Sequence, residues 1–268
     1  MAVETTQEWK IDERGCLHLL PEIPDNSVDL IITDLPYGST ACEWDCPIEL
    51  TRLWPEYERI IKDNGAIILT ATQPFASLVI MSNLKLFKYD WIWHKNTTSG
   101  FALAKKQPLR NHEIILVFYK NQPTYNPIKE PRDLNKESIE RMKYEFTTLK
   151  GTNVHQNGIK KVQFIPEDEF LSYPKTVKKW NSVNYHERVH TTQKPTPLIE
   201  YLINTYSNEG DMVHDSCMGS GSCMEACINL NRNFVGFEIS NEWEWNYHKM
   251  LDRKKNMYQL SKIFKMKC

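Results

Sequence analysis

The chain has 268 residues, enough to bury a substantial core as one large domain or as one domain carrying an insertion. Hydrophobic residues make up 41% and charged residues 25%, and no apolar run approaches the ~18–20 residues needed to cross a bilayer, which excludes a membrane-spanning helix. A net charge of −1 excludes binding to nucleic acid through overall positive charge. Basic runs at 105–112, 178–188 and near the C-terminus can still meet phosphates locally.

The N-terminal "MAVETTQEWKIDERG" lacks the charged-then-apolar profile of a signal peptide, which points to the cytoplasm. "NSVDLIITD" then reads as a strand buried on both faces. "PIELTRLWPEYERIIKDNG" reads as a helix stopped by Gly65. "AIILTAT" predicts a strand, "QPFASLVIMSNL" a helix, and "KYDWIWHK" and "NHEIILVFYK" two further strands. This alternation predicts an α/β fold with a doubly wound, mostly parallel sheet covered on both faces. From 121 to 189 the period is lost among Pro, Asn, charges and aromatics, and the segment reads as an inserted recognition region. The expected organisation is therefore 1–120, an insertion at 121–189, and 190–268. In the last part "KPTPLIEYLINTYSNEG" predicts a helix, "DMVHDS" a strand, "GSGSCMEACINLNR" a glycine turn opening a helix, and "NFVGFEIS" a strand. An amphipathic helix follows from about Asn241. Seven cysteines form no CxxC and no zinc-type cluster, so reduced thiols and no metal site are expected. Cys223 and Cys227, four apart, are read as packing on one helix face.

Two stretches carry the chemistry. The strand at Val28 ends in Asp34, Leu35, Pro36 and Tyr37, a carboxylate and a ring held beside a rigid proline. "DSCMGSGS" (215–222) is a glycine turn between strand and helix, where backbone can approach a ligand closely. Roughly twenty residues on, Glu238 ends a strand where it can accept hydrogen bonds from a ribose. The turn lacks the lysine of a phosphate-binding loop and the third glycine of a dinucleotide fingerprint. Taken alone it suits a structural turn as well as a nucleoside site.

With these residues in view, "DLPYG" (34–38) resembles the DPPY catalytic motif of amino-group DNA methyltransferases, and "DSCMGSGS" resembles their DPFxGSGT cofactor motif. "TTQKP" (191–195) resembles the QKP segment that precedes the cofactor motif in the β arrangement, and "GCLHLLPEIPDNSVDLIITDLPYG" resembles the family's run into the catalytic motif. The order of motifs is that of the β class, and the chain is most like its adenine-N6 members. Leu35 stands where the first proline of DPPY would be, and Ser216 and Cys217 replace the PF of the cofactor motif.

The resemblance implies a Rossmann-like, S-adenosylmethionine-dependent methyltransferase fold with an inserted target-recognition region. It implies transfer of a methyl group to N6 of an adenine flipped out of double-stranded DNA. Asp34 and the Leu35 carbonyl would accept the two N6 hydrogens, Pro36 would stiffen the turn, and Tyr37 would stack on the base. Asp34, Lys194, Asp215, Cys217, Met218, Gly219, Ser220, Gly221 and Glu238 would line the S-adenosylmethionine site, with Lys194 on its carboxylate. Lys105, Lys106 and Arg110 would touch phosphates. Base readers would come from the insertion: Asn153, Gln156, Asn157, Lys160 and Lys161. Trp44 would belong either to a loop over the flipped base or to the core. Cytosine-N4 is the nearest alternative, then RNA adenine-N6, then a non-catalytic DNA-binding subunit of the same fold. A homodimer and a cognate restriction endonuclease acting on the same site stay open as partners.

Overall fold

The computed structural model of the chain describes residues 5–38, 42, 45–132 and 171–265. In chain order its strands and helices are β1 (Gln7–Ile11), α1 (Cys16–Leu19), β2 (Val28–Thr33), α2 (Leu50–Ile60), β3 (Ile61–Ala71), α3 (Phe75–Ser82), β4 (Phe87–Ser99), β5 (Arg110–Phe118), β6 (Glu130–Pro131), β7 (Leu171–Ser172), β8 (Val177–Lys179), α4 (Thr196–Tyr206), β9 (Met212–Asp215), α5 (Ser222–Asn229), β10 (Asn233–Glu238) and α6 (Glu244–Lys265). Two compact units result. Met1–Asn126 with Thr176–Cys268 forms the larger, and Pro127–Lys175 the smaller, in which β6 and β7 pair antiparallel.

The larger unit is built on an eight-stranded sheet in the order β1-β10-β9-β2-β3-β5-β4-β8. β1, β10, β9, β2 and β3 run parallel, β5 is antiparallel to both β3 and β4, and β8 pairs parallel with β4. Alternate residues of β2 feed opposite cores, as a doubly covered strand must. Leu30 and Ile32 pack with Trp91, Trp93 and the side chains of α4 and α5. Ile31 packs on the other face with Leu53, Tyr57 and Val79 from α2 and α3. Burying each such side chain contributes about 1.5–3 kcal/mol. Among the described residues no helix is long and apolar enough to cross a membrane.

The structure departs from the expected elements in several places. The helix expected to reach Gly65 ends at Ile60, and the strand expected from Ala66 already begins at Ile61. Val28 pairs with Ile61 but Leu30 with Ala66, so the residues between form a bulge in β3. Gly65 therefore sits in that bulge and does not stop the helix. β1 falls in a stretch read from sequence only for its lack of a leader, and α1 in the run toward Asp34, for which no element was expected. β8 lies within the range expected for the insertion, yet Val177 and Lys179 register with Ile92 and His94 of the main sheet.

The topology creates one seam that matters. From β9 the chain winds outward to β10, and from β2 it winds the other way to β3. β2 and β9 are neighbours, with Leu30 opposite Val213 and Ile31 opposite His214. A crevice opens at the carboxyl ends of parallel strands where the winding reverses. Both motif-bearing turns leave the sheet there.

Candidate active site

A cavity of about 750 Å³ sits over the β2/β9 seam, within the roughly 300–1,000 Å³ usual for small-molecule sites. It is lined by Asp34, Leu35, Pro36 and Tyr37 after β2, by Lys194 before α4, by Asp215, Cys217, Met218, Gly219 and Ser220 after β9, and by Glu238 at the end of β10. Asp34 is thus brought to one cavity with residues 160 to 204 positions further along the chain.

The first turn is held by its own hydroxyls. Tyr37 Oη donates to Asp34 Oδ1 at 2.6 Å, and Thr70 of β3 donates to the same oxygen. Lys194 Nζ donates to Asp34 Oδ2 and lies 3.5 Å from Glu113 Oε2. Burial pulls the Lys194 ammonium toward neutrality, but Asp34 and Glu113 outweigh it and hold its pKa above the ordinary lysine value. The Tyr37 ring packs on Phe75 with centroids 5.1 Å apart, and burial, with Asp34 beside it, raises its phenol well above the ordinary value. Leu35 is buried, so its side chain anchors the turn on the α1/α2 core.

The second turn is tied across the seam. Thr33, the last residue of β2, donates to Asp215 Oδ1 at 2.7 Å, and the Cys217 N–H donates to the same oxygen at 3.0 Å. Burial pushes the Asp215 carboxyl up to about 7 against these two bonds. Behind it runs a buried chain of polar groups. Burial pulls His214 down to about 4, so its ring is neutral. Nδ1–H then faces the Val235 carbonyl at 3.0 Å and Nε2 accepts from Ser216 Oγ at 2.9 Å. Tyr57 Oη donates to Ser216 Oγ at 2.8 Å. Ser216, where the family motif has proline, is thereby fixed by hydrogen bonds in place of ring stiffness.

The glycine turn shows what it leaves room for. Gly219 has φ +49° and a Cβ there would meet nothing within 4 Å, whereas a Cβ at Gly221 would come 2.9 Å from the Tyr247 ring. Ser220 is buried, bonding Ser222 Oγ at 3.1 Å through its hydroxyl and Asn246 at 2.8 Å through its carbonyl. Met218 is buried beneath Gly236, and Cys217 lines the cavity together with Cys16 of α1. Glu238 Oε2 accepts the Gly219 N–H at 2.6 Å, and Oε1 accepts Ile239 N–H at 2.9 Å and Ser240 N–H at 3.3 Å. Burial still raises its pKa. Oε2 keeps a free lone-pair direction for a hydroxyl.

Not every expected residue is here. Lys105 and Lys106, between β4 and β5, and Arg110, the first residue of β5, are exposed and do not line the cavity. Trp44, Asn153, Gln156, Asn157, Lys160 and Lys161 lie outside the described residues. Lys194, expected to face a ligand carboxylate, is bonded to Asp34. Thr33, Thr70, Glu113, His214 and Tyr57 complete the site and were missed by motif reading. Thr33, Thr70 and His214 each stand as polar residues in otherwise apolar strands, which was the signal on offer; Tyr57 on the charged helix α2 and Glu113 after Arg110, Asn111 and His112 carried no such signal.

The chain matches the N6_N4_Mtase family, described as DNA methylase, over residues 28–245. It is 28% identical over 246 residues to Type II methyltransferase M.HpaI of Haemophilus parainfluenzae, covering 85% of this chain and 69% of that one. It is 28% identical over 256 residues to Type II methyltransferase M1.MboII of Moraxella bovis, covering 87% and 93%. Among solved structures it resembles an M1.HpyAVI–SAM complex, with a TM-score of 0.59, 19% identity, and 91% and 99% of the two chains covered. It resembles the PvuII cytosine-N4-specific DNA methyltransferase with a TM-score of 0.58, 13% identity, and 94% and 93% covered.

Proposed function

The chain belongs to the DNA methylase family, and we propose that within it this protein transfers a methyl group from S-adenosylmethionine to N6 of an adenine flipped out of double-stranded DNA. One observation carries the reading: the Asp34–Tyr37 turn and the Asp215–Glu238 wall face a single cavity of ligand size.

The residues fit the methyl donor. The open space at Gly219 lets backbone approach a ligand, Glu238 Oε2 can take a ribose hydroxyl, and Asp215 offers a carboxylate to a cationic amino-acid part. Cys217, Met218, Ser220 and Gly221 shape this wall. S-adenosylmethionine supplies a methyl group already activated on a sulfonium. The protein has to make the target nitrogen available, because the N6 lone pair is delocalised into the purine. Asp34 and the Leu35 carbonyl accept the two N6 hydrogens, which favours a pyramidal nitrogen. Pro36 and the Phe75 contact hold Tyr37 for stacking on the base. Preorganised acceptors at the reacting atom are worth most where water is excluded.

An exocyclic amine is unreachable inside the duplex, so the base must turn out, at a cost of a few kcal/mol. Lys105, Lys106 and Arg110 are exposed, where phosphates can meet them without sequence being read. The resemblance to the DPPY motif, with aspartate at its first position, favours adenine over cytosine. The test is transfer of tritiated methyl to duplex DNA, followed by nucleoside analysis. N6-methyladenine is expected; N4-methylcytosine would replace the base assignment, and label confined to RNA or protein would refute the substrate class.

A further inference from the structure

Glu113 has no part in the chemistry above, yet its side chain is only 12% exposed and lines the same cavity. Asp34 spends three of its roughly four acceptor sites on the protein itself. Oδ1 takes the hydroxyls of Tyr37 and Thr70, and Oδ2 takes the Lys194 ammonium. A target amine needs Oδ2, the oxygen with one partner in place of two. Lys194 is buried, so displacing it from Asp34 would strand a charge unless another anion stood in reach. Glu113 is that anion. Its Oε1 is held by Lys95, while its buried Oε2 has no hydrogen bond and lies 3.5 Å from Lys194 Nζ, beyond the ordinary N–H···O range. Lys194 therefore bonds one carboxylate and faces a second with an unfilled acceptor.

We infer that Glu113 is a positioning residue for methyl transfer: its Oε2 is a second seat to which the Lys194 ammonium moves when the target base reaches Asp34. The inference rests on the reading of Asp34 as acceptor of the target amine. No covalent bond changes in this step and no proton leaves the lysine. One ion pair is exchanged for another, and the two carboxylates keep the two ammonium groups of Lys95 and Lys194 in balance.

The test uses the full chain. Glu113→Gln removes the anion, and Glu113→Asp keeps it while drawing the seat back, so the second variant answers if the first does not fold. Donor Kd by calorimetry should match wild type, while kcat for tritiated methyl transfer to DNA falls about 10²-fold in Glu113→Gln and about tenfold in Glu113→Asp. Against a Lys194→Met background, Glu113→Asp should cost less than about twofold, since it acts through the lysine. Equal loss in both backgrounds, or wild-type kcat in Glu113→Asp, overturns the inference. A loss of donor affinity as large as the loss of kcat also overturns it, because Glu113 would then merely shape the cavity. A wild-type chain that transfers no methyl to DNA brings down the proposed function and this inference with it, which separates the two failures.

Discussion

Alanine at Gly221 and at Gly219 makes a matched pair, because the two positions lie in one turn and differ in what surrounds them. Both have positive φ, +84° and +49°, so either alanine incurs the left-handed cost of about 1–2 kcal/mol. At Gly221 the new methyl would also stand 2.9 Å from Cδ1 and Cε1 of Tyr247 and 3.5 Å from Met250 Cε. Tyr247 is fully buried on α6 and tied to the Gly219 carbonyl through its hydroxyl, so it has nowhere to swing. Overpacking adds about 1–3 kcal/mol. Gly221→Ala should therefore lose about 2–5 kcal/mol of unfolding free energy, and Gly219→Ala only about 1–2. At Gly219 the methyl is free of protein but takes space in the cavity wall, so there the penalty should appear in donor binding, about tenfold or more in Kd. Urea denaturation and calorimetric titration with S-adenosylmethionine separate the two effects. Equal destabilisation by both alanines, or unchanged donor affinity in Gly219→Ala, would refute the assignment of one glycine to packing and the other to the ligand.

Asp34→Ala should cut methyl transfer at least about 10²–10³-fold while donor affinity stays within a few-fold; surviving transfer in the tritium assay removes the catalytic turn from the mechanism. Donor affinity should weaken as pH falls below about 7, by up to about tenfold per unit, because the Asp215 carboxyl is pushed up to about 7 and its protonated form cannot serve a cation. Calorimetry across that range checks it, and Asp215→Asn should flatten the dependence. His214 acts on stability with the depressed-pKa sign. Its folded value is about 4 against 6.5, so its contribution is present above 6.5 and lost as pH falls through about 4. Urea midpoints recorded from neutral to acid should fall through that window. Tyr57→Phe removes the donor to Ser216 Oγ and should cost about 1–3 kcal/mol by denaturation; no loss would mean that the polar chain behind the cofactor turn does not hold it.

The fold was legible wherever a periodic apolar run met a turn signal. β2, α3, α4, β9, α5 and β10 follow from such runs, and the order of strands and helices led to the covered sheet. Misreadings arose where a local signal had two physical sources. Gly65 after an amphipathic run reads as a helix stop, but the same residue serves a bulge, and only pairing with β2 distinguishes the two. β1 is short, with burial that alternates along "QEWKI", and its place comes from pairing with β10. Nothing within five residues can announce a partner more than two hundred residues away.

The same reasoning divides the site. Asp34, Pro36, Tyr37, Asp215, Gly219 and Glu238 are brought to the cavity by the turn or strand end that each occupies, so a motif carries them. Thr33, Thr70, Glu113, His214 and Tyr57 act through a partner on another element, and the sheet order alone supplies that partner. Thr33 reaches Asp215 because β2 lies beside β9; Thr70 reaches Asp34 because β3 lies on the other side of β2. Glu113 approaches Lys194 because β5 lies next to β3. Lys194 joins both classes, and this explains why its expected ligand and its observed one differ. The QKP pattern places the ammonium at the cavity, but which anion it meets there depends on every carboxylate that the sheet delivers. Asp34 and Glu113 arrive from strands on either side of β3, so the lysine in the folded chain is bonded to the first and faces the second before any ligand can compete.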